Sequence, residues 1–491
     1  MNTGIGKMLQ IEKGDRPMIV ALLLQAVCTG VFTGALELAG NSLFLETFGA
    51  DRVPLALMIS GGAGILIATI YSYFSKQLNV KAFGILNLVA VMGIAAALLP
   101  GFRILPKEYF DFIIFVVMGP LVLMTLLGFW TTVRRFLSPS KGKQLFGIIE
   151  FALVSGMVAA FFGTILLVRA GLQIQYVLYI GMGCLVTATG AQLYVLTGMG
   201  KNIPRFRKRV KSTGPLNLFS HRYTGLMAAF VALGVGVTVI LHYSFLWVTD
   251  NRYSGGIELV SFLGLFFGAM MILAWIMKRF LFSRVKRKLG IRVTMLLSPV
   301  ILLVLTIASA IVGENYGFGG EAFVFTYFFM LVVLSKFINR SLKESMEDPS
   351  MNLIYQSLDP RDRYNVQSGI EGVLSQIGVF SVGLFLACFV LISFVEIIHV
   401  TYVLFIIQGV WFFVGLALYR SYHRMLKVTL ESDRIKDHMD QGLQELMKVD
   451  LEQTAFPMEM LQFNPYYFHY TSREDQLFLL GHSHIAVRSL V

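Results

Sequence analysis

Seven ionisable or amide side chains stand inside long apolar runs, where a charge costs roughly 2.5–3.5 kcal/mol to insert and such residues face a protein interior or a water-filled path. They are Glu37 and Asn41 near the start of the chain, His242 in its middle, Lys336 further on, and Glu150, Gln367 and Glu371 close to the ends of their runs. Glu37 and Asn41 are four residues apart, so on a helix they share one face. Carboxylate, imidazole and ammonium groups at such depth suit proton transfer and anion binding, and no nucleophile–base pair accompanies them. No phosphate-loop, zinc-helix or calcium-loop pattern occurs, and the five histidines beyond residue 422 have no metal-ligand spacing. Neither a catalytic residue, a metal site nor a cofactor is expected. Glycine groups such as Gly61, Gly62 and Gly64 lie within apolar runs and read as close helix contacts.

The runs that hold these residues dominate the chain. Of 491 residues, 56% are apolar and 14% charged, against about 45–50% and about 25% in a soluble domain. Twelve segments are long enough to cross a hydrocarbon layer of about 30 Å: 18–45, 53–74, 82–100, 110–133, 145–169, 175–198, 223–247, 256–277, 292–312, 322–340, 368–392 and 399–420. The first is too long for a signal peptide and is expected to be retained. Cys28, Cys184 and Cys388 each sit in an apolar run and read as packing thiols.

With the N-terminus in the cytoplasm, the inner links carry 24 Lys and Arg and the outer links five. This asymmetry places both termini in the cytoplasm and accounts for the net charge of +12 without nucleic acid. From residue 422 the character changes, with ten Asp and Glu against seven Lys and Arg. Residues 422–491 read as a soluble helical extension able to meet a protein partner, and Gln476–Val491 as an amphipathic helix within it.

The chain also repeats itself. Glu150 follows Pro139 by eleven residues and Glu371 follows Pro360 by eleven, each Glu preceded by Ile; the links around Lys76 and Arg284 correspond as well. A proline suits the first turn of a helix, which puts each Glu about three turns in. The expected architecture is an all-α integral membrane protein of the major-facilitator type: twelve transmembrane helices in two six-helix halves, 1–198 and 223–421, joined by a basic linker, 199–222. Two such halves can expose a central site alternately to each side.

Three stretches, SLFLETFGADRVP at 42–54, FW at 129–130 with LSPSKGKQLFGIIE at 137–150, and EDPSMNLIYQSLDPRDRYNVQSGIEG at 347–372, resemble the ATP/ADP translocase family of plastids and intracellular bacterial parasites, and more closely its relatives in free-living bacteria. The resemblance implies a nucleotide-transporter-like carrier in a bacterial inner membrane. Where nucleotide-exchanging members place Lys, Glu, Glu and Lys, this chain has Gly40, Arg135, His242 and Gln367. The altered charges imply a small anion, nucleotide or otherwise phosphate-containing at most, rather than ATP/ADP exchange.

The expected transport pathway comprises Glu37, Asn41, Arg135, His242, Lys336 and Gln367, with Arg135 and Lys336 as anion contacts and Glu37 or His242 as a proton site. Glu150, Glu371 and Arg363 form an intracellular gate, the glutamates pairing with Arg135, Arg363 or helix-terminal amides. The competing expectation is a non-transporting membrane module that anchors the extension or a partner complex.

Overall fold

The computed structural model describes residues 16–77, 80–136, 139–198, 221–253, 255–317, 325–358, 363, 366–392 and 396–448. Each apolar segment is a helix, because in a layer without water a chain must satisfy its amides internally. The first six are α1 (Arg16–Phe48), α2 (Val53–Gln77), α3 (Val80–Ile104), α4 (Lys107–Phe136), α5 (Pro139–Arg169) and α6 (Gln175–Gly198). The second six are α7 (Arg222–Arg252), α8 (Gly256–Ile276), α9 (Phe282–Tyr316), α10 (Phe325–Tyr355), α11 (Val366–Val390) and α12 (Ile397–Lys448). Among the described residues there is no strand. The protein is an all-α, multi-pass membrane protein.

Pro139 opens α5, as its missing N–H allows; Pro360 lies outside the described residues, as do the linker 199–220 and Gln476–Val491. The chain divides into two compact units, Met1–Tyr422 and His423–Val491. The second is described as far as Lys448, and that stretch is helical.

Three π turns interrupt the α geometry among the described residues, at Met277–Leu281 after α8, Lys343–Glu347 in α10 and Gly369–Leu374 in α11. All three belong to the second six helices. The basic link 278–288, expected as a loop, is helical up to Gly290, whose φ of 78° lets the chain reverse into the rest of α9.

α1 is the innermost helix and packs on α4, α5, α6 and α8. Its backbone meets that of α5 directly: a Cβ on Gly30 would stand 2.1 Å from the Leu153 carbonyl oxygen, and one on Gly156 2.2 Å from that of Val27. The first and second six helices meet along two seams, α2 with α11 and α5 with α8. On the first, a Cβ on Gly61 would lie 2.4 Å from the Phe380 nitrogen and one on Gly383 2.5 Å from the Met58 nitrogen. Small residues let these backbones approach, as helices in lipid generally do. Cys28 is buried, but Cys388 is exposed on the apolar flank of α11, correcting the expectation that all three thiols pack inside.

Candidate functional site

Along α1, Gln25, Thr29, Thr33, Glu37 and Asn41 recur every fourth residue and form one polar stripe. Thr33 turns its hydroxyl onto its own helix, Oγ1 donating to the Thr29 carbonyl at 2.9 Å. Asn41 Nδ2 donates to the Glu37 carbonyl at 2.7 Å, and its buried Oδ1 has no partner among the described residues. From Phe32 to Leu45 every residue is buried except Glu37, whose side chain is 24% exposed. This carboxylate is thus the one partly exposed side chain in that stretch.

α10 answers with a stripe of its own. Lys336, Arg340 and Glu344 are spaced by four. Arg340 Nη1 lies 3.9 Å from Glu37 Oε1, and its Nε–H is bonded to the Glu344 carboxylate. Lys336 is buried within electrostatic reach of Glu37 and Arg340. His242 of α7 feels both cations, and its buried Nδ1 has no partner among the described residues.

These groups share a depth. Glu37 is eleven residues before the end of α1 at Phe48, Lys336 eleven after the start of α10 at Phe325, and His242 ten before the end of α7 at Arg252. At 1.5 Å per residue that is about 15–17 Å, near the middle of a roughly 30 Å layer. α1, α7 and α10 thus bring Glu37, Asn41, His242 and Lys336 to one place, and add Arg340 and Glu344.

Arg135 is not at this depth. It stands one residue from the end of α4, and its side chain lies outside the described residues. Gln367 is also remote: its Nε2 bonds the Asn352 Oδ1 and both oxygens of the Glu371 carboxylate, each at 3.2 Å. The expected gate divides in the same way. Glu150 pairs with Lys278, on the turn after α8; its expected partner Arg135 has its side chain outside the described residues. Arg363 Nη2 donates to the Gln356 and Leu358 carbonyls at 2.7 and 3.2 Å, closing the C-terminal end of α10, where cationic side chains commonly cap free carbonyls.

Sequence reasoning missed Arg340, Glu344 and Lys278 as site residues. The i+4 spacing from Lys336 was the signal for the first two; ending the segment at residue 340 made Arg340 a loop charge. For Lys278 the sequence held only an undifferentiated basic link.

At the opposite end of the bundle the α1–α2 link is tied to α7. The Ala50 N–H donates to Asp250 Oδ2 at 2.8 Å, beside Gly49 at φ 65°. Nearby, Thr47 Oγ1 donates to buried Asp111 Oδ2 at 2.6 Å. Both ends thus carry bonds between the first and second six helices. The Glu150–Lys278 pair is partly exposed and of modest strength, about 0.2–1 kcal/mol as such pairs go. Glu150→Lys should lower the melting temperature of the solubilised protein, and adding Lys278→Glu should restore most of the loss. Additive losses in the double variant would mean that the pair is not coupled.

The solved structure of the nucleoside transporter NupG is similar to this chain over 84% of it and 99% of that one, with a TM-score of 0.57 and 14% identity. A bacterial homologue of the iron transporter ferroportin is similar over 82% of this chain and 99% of that one, with a TM-score of 0.51 and 13% identity. The likeness to these two structures is one of fold. No family model and no curated protein matches the sequence, so the ATP/ADP translocase resemblance rests on its three sequence blocks. The polar stripes of α1 and α10, one from each set of six helices, meet where Arg340 approaches Glu37.

Proposed function

We propose that this chain is a secondary transporter for a small organic or phosphate-bearing anion, working by alternating access in a bacterial inner membrane with both termini cytoplasmic. The observation that carries this reading is the open Glu37–Arg340 pair at mid-depth, joining the first six helices to the second beside buried Lys336. Two cations and two carboxylates, Glu37 and Glu344, balance there. One proton on Glu37 releases its claim on Arg340 and leaves one positive charge, which suits one anionic group of a solute. A guanidinium presents a planar fork to a carboxylate or phosphate, and Lys336 adds a point charge. Loss of solute and proton restores the pair, so the empty and loaded states are both near neutral and each can rock between the two sides.

The similarity in fold to a nucleoside transporter and to a homologue of an iron transporter supports carriage of a solute. A nucleotide polyphosphate would leave most of its charge unpaired at two cations, with Gly40 where the resembling family has lysine. The 1–198 and 223–421 halves are read as a repeat that supplies one helix of each facing pair.

Reconstituted protein given labelled ATP, ADP and small organic anions tests the reading. Small-anion uptake driven by a pH gradient is expected, with little ATP/ADP exchange. Glu37→Gln should remove the gradient dependence while counterflow persists. Robust ATP/ADP counterflow would overturn the substrate reading, and no uptake of any probe by intact protein would return the chain to the anchor reading.

A further inference from the structure

We propose that Glu347 and Trp411 form a proton-binding site inside the second six helices, separate from Glu37. Eleven regular α-helical residues beyond Lys336 would return Glu347 to within about 20° of it, facing the central site. The π turn Lys343–Glu347 holds one extra residue and swings Glu347 back by about 100°, onto the side of Asn339. There Glu347 is buried, 5% exposed as a residue, and its carboxyl forms no hydrogen bond or ion pair among the described residues.

Its neighbours are set by a notch in α7. The point where a Cβ on Gly234 would stand is 3.0 Å from Glu347 Oε1, 3.1 Å from Trp411 Cζ2 and 3.4 Å from Trp411 Cε2, the ring atom bonded to Nε1. Trp411 and Gln408 of α12 are fully buried, yet the indole Nε1 and both amide atoms of Gln408 have no partner among the described residues. A polar atom left so costs about 1–3 kcal/mol. Asn339 Nδ2 donates to Thr238 Oγ1 at 3.3 Å, and Thr238 Oγ1 to the Gly234 carbonyl at 2.8 Å, so polar groups run from α10 to the notch.

No cation on the surrounding helices neutralises Glu347 by contact. α7 from Tyr223 to Leu241 and α12 from Thr401 to Tyr419 carry no charged residue. On α10 itself Lys343 and Asp348 oppose each other in their effect on Glu347, and Arg340 takes up Glu344. Lys278, on the turn after α8, is engaged by Glu150; Arg279 is also on that turn. On α9, Arg292 lies over the Tyr419 ring at 5.8 Å, preceded by an exposed basic stretch. A buried carboxyl in such surroundings binds one proton and becomes a neutral acid; when the proton leaves, the unpartnered indole N–H is the donor beside the carboxylate.

The test needs no solute, so it stands apart from the transport reading. With Trp130, Trp247 and Trp275 replaced by Phe, Trp411 is the sole indole reporter in the intact chain. Its emission should follow a single-proton transition with pH, across the range where the fold melts cooperatively. Glu347→Gln should flatten that transition. Glu347→Asp, which keeps the acid should the glutamine variant fail to fold, should displace its midpoint. A flat Trp411 signal in the reporter protein, or a transition unmoved by Glu347→Asp or Glu347→Gln, would overturn the proposal.

Discussion

Arg340→Gln is expected to lower solute uptake by about 100-fold or more, equivalent to about 2.7 kcal/mol of lost transition-state stabilisation, and to destabilise the fold. The guanidinium holds Glu37 from one side and Glu344 from its own helix. Removing it leaves both the Glu37 and the Glu344 carboxylates without this partner. Breaking a buried pair costs about 3–5 kcal/mol; Arg340 is 32% exposed, so water recovers part of this and roughly 1–3 kcal/mol is expected. Arg340→Lys keeps the charge but loses the fork, and should fall between. Adding Glu37→Gln to Arg340→Gln should recover stability without recovering uptake, which separates the two roles of the residue. Uptake unchanged in Arg340→Gln proteoliposomes would remove Arg340 from the pathway.

The second large effect is steric. A Cβ on Gly383 meets the Met58 nitrogen at 2.5 Å and Met58 Cα at 2.8 Å, atoms that cannot rotate away as a side-chain tip can. Gly383→Leu must therefore part α11 from α2, at an overpacking cost of about 1–3 kcal/mol. Faster hydrogen exchange of the α2 amides around Met58 is expected, together with at least a tenfold loss of uptake. Gly183→Leu is the control, since nothing lies within 4 Å of a Cβ there. Equal exchange in the two variants would show that the seam yields without consequence.

How far the sequence disclosed the site depended on which physical signal carried it. Segment lengths follow from the thickness of the layer, and all twelve apolar runs correspond to helices. The mid-depth placement of Glu37, His242 and Lys336 followed from their positions within those runs. Arg340 did not, because hydropathy falls where a helix turns polar even when the helix continues. Beyond it Ser341, Ser345 and Ser350 return their hydroxyls to their own helix's carbonyls, at 2.8, 2.6 and 2.6 Å, and so remain compatible with a buried helix. Phase was hidden as well. Glu150 and Glu371 are equally spaced from their prolines, but Glu371 stands on a π turn and Glu150 on regular α-helix. Glu371 accepts from Gln367, and Glu150 pairs with Lys278. Cys388 looked internal because an apolar flank facing lipid has the same composition as a core.

The Glu37–Arg340 pair has a consequence for how the protein is made. α1 is synthesised first, yet its acidic residue waits for a partner roughly 300 residues further along, about 15–60 s of elongation at common rates. Throughout that interval the nascent chain must hold a carboxyl in the membrane without its guanidinium, at a cost of roughly 2.5–3.5 kcal/mol. The close glycine contacts of α1 with α5 at Gly30 and Gly156 offer shelter within the first six helices before α10 emerges. Assembly is thereby ordered: the first six helices close around α1 on their own, and the arrival of α10 completes the charge balance last.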